Sequence, residues 1–238
     1  MQCWYESDLG QYVLAHEQAW FDAVSSDLFG FHAMQMGECE TDFLRANRIS
    51  HKFCAGVSSG PLLAAPELLP IASQSLDLLV LPHVLEFSPQ PHQVLREAER
   101  VLRPEGRLLI SGFNPMSLWG LRRIVIGLTA EEVPAHPWHG RFIHLTRIKD
   151  WLALMGFEMA GGRMACYAPP LQRAAWLARF SFLEAAGDRW WALGGGIYFI
   201  HAVKRVHSMR VIMPKREAAW SPRPAWAQSA KTSSHLVL

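Results

Sequence analysis

Apolar and polar positions alternate in a way that predicts a strand, a helix and a second strand between residues 75 and 115. Residues 76–81 form an almost unbroken apolar run, whose length is typical of a strand buried on both faces. Over residues 91–102 the apolar side chains recur at helical spacing, and the charged side chains occupy the other face. After a Pro-Glu-Gly turn, residues 107–111 form a second short apolar run. This order is that of a βαβ unit, which builds parallel sheets with a right-handed crossover.

Further helices and strands are predicted on both sides of this unit. Helical spacing over residues 8–24 predicts an amphipathic N-terminal helix, for which Ser7 and Asp8 are suitable N-caps. A short helix is expected over residues 42–46, and an aromatic-rich helix over residues 171–193. The other predicted elements are strands at 31–36, 51–55, 62–65 and within 157–167, a helix at 147–155, and a last, antiparallel strand at 196–206.

The ends of the two strands in the βαβ unit are the first place to look for chemistry. In open parallel sheets, ligands bind beyond the carboxyl ends of the strands. In this chain those ends are residues 82–86 and residues 112–115. We therefore expect a ligand, if the protein has one, to contact these two segments.

The two halves of the unit, SLDLLVLPHVLEF and LREAERVLRPEGRLLISGFNP, carry a family resemblance. They resemble the second half of a class I S-adenosylmethionine-dependent methyltransferase domain, and most closely the type 11 group. In that group an acidic residue stands early in the fourth strand, as Asp77 does, and a histidine often follows the strand, as His83 does. The resemblance is specific over residues 69–114 and extends less specifically towards Arg210.

The resemblance implies an α/β fold with a Rossmann-like three-layer sandwich. The implied sheet is mostly parallel and seven-stranded, with an antiparallel last strand, an N-terminal helix and helical insertions. Residues 1–213 would form this domain, and the helix over residues 8–25 would cover the ligand cleft. Residues 214–238 contain Pro, Ser, Ala and Trp without a period, and we expect them to be a flexible tail.

By the same resemblance, the turn after the first predicted strand should hold the cofactor. Gly37 opens this turn, and a residue without Cβ lets the backbone approach a ligand closely. Family members carry three alternating glycines here, but Cys39 and Thr41 stand at the other two positions. Gln35 stands where the family has an acid.

Two further acidic positions of the family are also lost. The second strand usually ends in an acid that binds the ribose hydroxyls, because a carboxylate accepts two hydrogen bonds at once. Here it ends in Cys54, Ala55 and Gly56, and Glu38 and Glu40 in the first loop are candidate substitutes. Ala65 stands at the adenine-side acid position. The resemblance implies S-adenosylmethionine as cofactor, and the candidate cofactor-binding residues are Gly37, Glu38, Glu67, Leu69, Pro82 and His83.

The implied reaction is an in-line methyl transfer to a small acceptor. The sulfonium leaving group is already activated, so the protein mainly supplies alignment and a dry site. His83 is the candidate general base, with the alternative that it orients the cofactor or packs against Phe113. Glu86 and Asn114 are candidates for positioning the substrate. The aromatic residues 171–193 either cap a hydrophobic acceptor or belong to the core or a subunit contact.

A catalytically inactive protein that keeps the fold for binding or assembly is the alternative function. Each lost buried hydrogen bond would cost about 1–3 kcal/mol. Three such losses would move a micromolar affinity for the cofactor towards millimolar. A dinucleotide-dependent dehydrogenase fits less well, because the single loop glycine is no better a match to that fingerprint.

Composition limits which classes of partner and which cellular compartment we expect for this protein. A net charge of +2 is too small to argue for nucleic acid. The four cysteines lack the spacing of a metal site, so we expect reduced cysteines, no metal and a cytoplasmic protein. No apolar run is long enough for a membrane span, and no secretory signal is recognisable. The expected partner is a small-molecule acceptor, and homo-oligomers are left open.

Overall fold

A computed structural model describes residues 2–129, 137–171, 174–180, 182–191 and 193–206. Its strands are β1 (His32–Met36), β2 (His51–Gly56), β3 (Leu62–Leu63), β4 (Leu76–Pro82), β5 (Leu102–Phe113), β6 (Phe157–Ala165) and β7 (Ile197–Lys204). Its helices are α1 (Gln2–Tyr5), α2 (Asp8–Ser25), α3 (Val84–Phe87), α4 (Pro91–Val101), α5 (Leu118–Thr129), α6 (Leu145–Leu154), α7 (Ala174–Arg179) and α8 (Phe182–Trp190).

The strands form one seven-stranded sheet in the order β3-β2-β1-β4-β5-β7-β6. The pairs from β3 to β5 are parallel, whereas β7 runs antiparallel to both β5 and β6. The carboxyl ends of β1, β2 and β4 therefore lie at one edge, where a ligand can bind. The predicted fold class, with its N-terminal helix and antiparallel last strand, is confirmed.

Alternating side chains of the central strand build a core on each face of the sheet. In β4, Leu79 and Leu81 pack in the cluster that contains residues of α4 and α6. Leu78 and Val80 point the other way, into the cluster that contains residues of α2 and α5. A strand covered on both faces needs an unbroken apolar run, which is why residues 76–81 have that composition.

The helix expected over residues 42–46 is wrong, because the structure has turns there. The side chain of Asp42 accepts a hydrogen bond from the backbone N of Leu44 at 2.8 Å. The amide oxygen of Gln35 accepts one from the backbone N of Phe43 at 2.9 Å. These side chains thus bind the backbone N–H groups of Phe43 and Leu44 without a helix. A segment of five residues is also too short to form a stable helix by itself. The connection from β1 to β2 therefore contains no helix.

The chain from its first residues to Val206 forms one compact unit. The tail expected at residues 214–238 lies outside the described part of the chain. No helix among the described residues is both long enough and apolar enough to cross a membrane.

Candidate functional site

A cavity of about 300 Å³ opens at the carboxyl ends of β1 and β4. This volume lies at the lower end of the range for small-molecule sites, roughly 300–1,000 Å³. The backbone turns that follow four neighbouring strands line it, as the fold predicts for a ligand site. Its walls are Tyr5, Met36, Gly37, Glu38, Val57, Ser58, Ser59, Ala65, Pro66, Glu67, Pro82, His83, Val84, Phe87, Ser88 and Pro89.

Gly37 is the residue of the β1 turn that no other amino acid replaces easily. Its φ is +116°, a conformation that L side chains rarely adopt. A Cβ at this position would also lie 3.0 Å from Val84 Cγ2. The backbone N of Gly37 donates to the Ala55 carbonyl at 2.8 Å, so this turn is held against the end of β2.

Gln35 organises the rest of this turn. The side chain is buried, and its amide nitrogen donates to the Glu38 carbonyl and, at 2.7 Å, to the Thr41 carbonyl. Its amide oxygen accepts from Phe43 N at 2.9 Å. An acid at this position could only accept. An amide donates and accepts, and so bonds both kinds of backbone group in the segment.

Two cysteines of the same region form a disulfide, which corrects the expectation that the cysteines are reduced. Cys39, in the turn after β1, is joined to Cys54 of β2, with 5.6 Å between the Cα atoms. Sequence spacing gave no signal for this pair, because the two residues meet only when β1 and β2 align in register. Cys166 is a free, buried thiol as expected. The bridge replaces one of the missing glycines with a covalent link.

The remaining polar residues of the cavity fit an adenosyl ligand. Glu38 and Glu67 provide two carboxylates in the lining, and the Ser88 hydroxyl donates to Glu67. Ser58 and Ser59 follow β2, where the family has its ribose-binding acid, and their hydroxyls can bond ribose. The prediction missed both serines, although a polar Ser-Ser-Gly turn directly after an apolar strand is a recognisable signal. Tyr5 and the apolar walls complete a site suited to S-adenosylmethionine.

Leu69 does not line the cavity, in contrast to the other candidate cofactor residues. Its side chain is buried in the core beside α4. Its backbone N donates to Glu97 Oε2 at 2.9 Å, and Arg100 binds the same carboxylate at 2.8 Å. Leu69 therefore anchors the segment that contains Glu67 and does not face a ligand.

His83 is one of the residues that line the cavity, and it lies between two buried carboxylates. Nδ1 is 2.8 Å from Glu86 Oε2, and Nε2 is 2.9 Å from Glu17 Oε1. The second contact is a charge pair, because Nε2 has no hydrogen-bond partner of good geometry. The ring stacks on Phe113 with 4.3 Å between centroids. The backbone of His83 is left-handed, with φ of 53°, a strained conformation that these contacts hold in place.

Glu17 comes from α2 and connects this helix with the sheet. It accepts hydrogen bonds from Tyr5 Oη at 2.7 Å and from Ser111 Oγ at 2.6 Å. These donors and the nearby His83 lower the pKa of Glu17, although its burial alone would raise it. The prediction missed Glu17. The signal available was an acid four residues after Val13, on the apolar face of the helix.

The charge of His83 follows from this surrounding. Burial by itself lowers the pKa of His83, but the carboxylates of Glu17 and Glu86 outweigh it and raise the pKa to about 10. Burial raises the pKa of Glu86. At neutral pH His83 is thus a cation that has a proton on each ring nitrogen and no free lone pair.

Glu86 and Asn114, the two candidates for positioning the substrate, are both buried and hydrogen-bonded to the protein backbone. Glu86 is buried, and its second oxygen accepts from the backbone N of Phe113. Asn114 is buried as well, and its amide nitrogen donates to the carbonyls of Leu193 at 2.8 Å and Gly195 at 2.9 Å. Both residues hold the β5 end in place, and neither lines the cavity.

Comparisons with known proteins find similarity to methyltransferases. Residues 45–110 match the model of a family described as methyltransferase domain. An uncharacterised protein of Escherichia coli K12, YafS, is 36% identical over 164 residues, which are 66% of this chain and 65% of that protein. A malonyl-[acyl-carrier protein] O-methyltransferase of Methylovorus sp. strain MP688 is 31% identical over 108 residues, which are 45% of this chain and 32% of that enzyme. The chain thus spans less than two thirds of the length of either relative.

Solved structures extend the likeness over most of the chain. A S-adenosylmethionine-dependent methyltransferase from Thermotoga maritima superposes with a TM-score of 0.56 at 17% identity, covering 86% of this chain and 100% of that one. A similar enzyme from Archaeoglobus fulgidus gives a TM-score of 0.55 at 15% identity, covering 79% and 92%. At these identities the likeness concerns the fold.

Proposed function

We propose that this chain is a class I S-adenosylmethionine-dependent methyltransferase and that it methylates a small acceptor at the cavity beside β1 and β4. When bound, the cofactor supplies an activated methyl group on a positively charged sulfur. The observation that carries the proposal is the position of the cavity. It opens at the carboxyl ends of parallel strands, beside a turn whose glycine has a left-handed φ.

In this proposal, different residues of the cavity bind different parts of the cofactor. Gly37 lets the backbone approach the ligand, and Glu38 with Ser58 provides acceptors and a donor for ribose hydroxyls. In this proposal Glu67 accepts a hydrogen bond from the adenine amino group. Pro82 forms part of the apolar floor. We expect the cofactor affinity to be modest, because these side chains replace an acid that binds both ribose hydroxyls at once.

His83 is a positioning residue in this proposal and not a general base. Its ring is charged at neutral pH and is enclosed by Glu17 and Glu86, so it cannot take a proton from an acceptor. It fixes the β4 end and ties α2 over the sheet. Within the proposal, Glu86 and Asn114 act on the acceptor only indirectly, through the position of β5.

An acceptor that needs no base suits such a site. The leaving group is already activated, so an anionic oxygen can attack without proton removal. The Methylovorus relative is named an O-methyltransferase of malonyl-[acyl-carrier protein], which is consistent with this class of acceptor. A groove of about 680 Å³ between α5 and α7, lined mainly by apolar residues such as Leu121 and Trp176, supports an acceptor with a hydrophobic part.

Titration calorimetry with S-adenosylmethionine and S-adenosylhomocysteine tests the proposal. We expect binding of both, and a weakening of about tenfold in Ser58→Ala and Glu38→Gln, since the first removes a hydroxyl and the second replaces a charged acceptor of two oxygens by a neutral amide. Glu158→Gln is the matched control, because Glu158 is an exposed carboxylate on β6, at the far edge of the sheet. This variant should bind like the parent protein.

Absence of heat and of a thermal shift at millimolar ligand would refute the proposed activity. That result would favour the alternative, a protein that keeps the methyltransferase fold for binding or assembly. Equal weakening in Glu158→Gln and Glu38→Gln would show that only net charge matters and would remove Glu38 from the site.

A further inference from the structure

A second groove, of about 580 Å³, lies where α4 and α6 begin and is rich in positive charge. The loop before α6 and the first turns of both helices form its walls. Its cationic or titratable side chains are Arg96, Arg141, Arg147, His92 and His144. None of the described residues that line it is Asp or Glu.

The arginines of this groove lack the partners that other surface arginines have. Within the described chain, no carboxylate lies within ion-pair distance of Arg96, Arg141 or Arg147. By contrast, Arg45 pairs with Asp22 at 2.5 Å, and Arg205 pairs with Glu158 at 2.8 Å. Three unneutralised guanidinium groups in one concave surface are a favourable site for an anion, since each can bind an oxyanion through two hydrogen bonds.

Packing holds parts of the groove in place before any ligand arrives. The Arg147 guanidinium lies over the Trp151 ring at 5.0 Å, and the His92 ring lies 3.7 Å from the same ring. Arg141 is fixed through its backbone N, which donates to the Glu86 carbonyl at 2.8 Å. Less order therefore has to be created when an anion binds.

The backbone adds to the positive potential. The N-cap residues of α4 and α6, Gln90 and His144, make no side-chain capping bond, and both line the groove. The free N–H groups of a first helical turn attract negative charge. These two ends reinforce the arginines on which the site depends.

The groove adjoins the cofactor cavity, because both are lined by Ser88 and Pro89. We propose that the groove binds an anionic group, a phosphate or a carboxylate, at the end of the acceptor molecule that is remote from the methylated atom. This deepens the proposed function and rests on it for the origin of the anion. The binding of an anion itself is testable without the acceptor or the cofactor.

Calorimetric titration with inorganic pyrophosphate and, separately, with malonate at low salt tests the inference. We expect saturable binding of at least one of them, weakened about tenfold in Arg147→Gln and in Arg141→Gln, since each loses charge-assisted hydrogen bonds. Raising the salt concentration should weaken binding further. The stronger of the two probes identifies the group as phosphate or carboxylate.

Arg48→Gln is the matched control. Arg48 is an exposed arginine outside the groove, with no carboxylate partner in the described part of the chain. Its substitution removes the same net charge and should leave pyrophosphate and malonate binding unchanged. Weakening equal to that of Arg147→Gln would overturn the inference, as would the absence of saturable binding of either anion at millimolar concentration.

Titration of the same variants with S-adenosylmethionine separates the two proposals. Arg147→Gln and Arg141→Gln should bind this ligand like the parent protein. Cofactor binding without anion binding refutes the groove alone. Anion binding without cofactor binding supports the groove as an anion site and refutes the methyltransferase activity to which we assign it.

Discussion

Gln35 is a single side chain on which the shape of the cofactor turn depends. Its register partners are Cys54 and Val80, so it stands in the middle of the parallel sheet. From there its amide group bonds three backbone groups of the segment that follows. The turn after β1 has Cys39 and Thr41 in place of two glycines, and no helix follows it. The side-chain amide of Gln35 and the Cys39–Cys54 disulfide hold it in place instead.

We predict that Gln35→Leu lowers the free energy of unfolding by about 1–3 kcal/mol, because Phe43 N loses a buried acceptor. Urea denaturation measures this change. Gln35→Glu keeps the acceptor for Phe43 N but places a buried carboxylate against the Thr41 carbonyl, so it should also be less stable than the parent protein. It should weaken S-adenosylhomocysteine binding as well. An unchanged urea midpoint in Gln35→Leu would contradict the role assigned to this side chain.

The connection between β1 and β2 differs from the expected element in two ways. It contains turns in place of a helix, and the Cys39–Cys54 disulfide closes it on itself. The two cysteines are 15 residues apart in the sequence. A closed loop restricts the unfolded chain, so the bridge stabilises a segment that has no helix to pack on the sheet.

Replacing both Cys39 and Cys54 with serine should lower the free energy of unfolding by about 3 kcal/mol, the value expected for a loop of this length. Urea denaturation with and without dithiothreitol provides the measurement. The reductant should destabilise the parent protein by a similar amount and leave the double variant unchanged. Equal effects of dithiothreitol on both proteins would disprove a stabilising disulfide.

At the level of the whole molecule, one buried ionic network joins three parts of the chain. Glu17 belongs to α2, His83 follows β4, and Ser111 lies in β5. Because the carboxylates and the imidazolium have left water together, removal of one partner leaves an uncompensated charge in the interior. The stability of the fold therefore depends on the protonation of a single histidine.

We predict that His83→Gln lowers the free energy of unfolding by about 3–5 kcal/mol at pH 6. The substitution leaves the buried carboxylates of Glu17 and Glu86 without a positive partner. The pKa of His83 is raised in the folded state, to about 10, above the unfolded value of about 6.5. A raised pKa stabilises the fold fully below pH 6.5, and this contribution is lost as the pH rises through 10.

The difference between the parent protein and His83→Gln should accordingly shrink between pH 6.5 and 10. Urea denaturation at intervals of pH gives this difference, and the other titrating groups largely cancel in it. A difference that stays constant over this interval would mean that His83 is not charged in the folded protein.

The pattern of the sequence determined the fold and the place of the cavity. Apolar runs and helical spacing report which faces are buried, and that information is local to each element. Strand β4, helix α4 and the last strand were predicted close to their actual bounds for this reason. Strand β5 is longer than the predicted 107–111 run, because it begins at Leu102 and includes the expected Pro-Glu-Gly turn. The fold brings the strand ends together, and the cavity is therefore lined by four of the predicted residues, Gly37, Glu38, Glu67 and Pro82.

Only the tertiary structure decided which polar groups meet and what charge they have. The hydrogen bond between Glu17 and Ser111 joins residues 94 positions apart, and the disulfide depends on the register of β1 with β2. The burial of Leu69, Glu86 and Asn114 arises from neighbours that no local pattern specifies. A histidine with an ordinary pKa near neutrality was a reasonable base in the sequence, but two enclosing carboxylates make it a fixed cation.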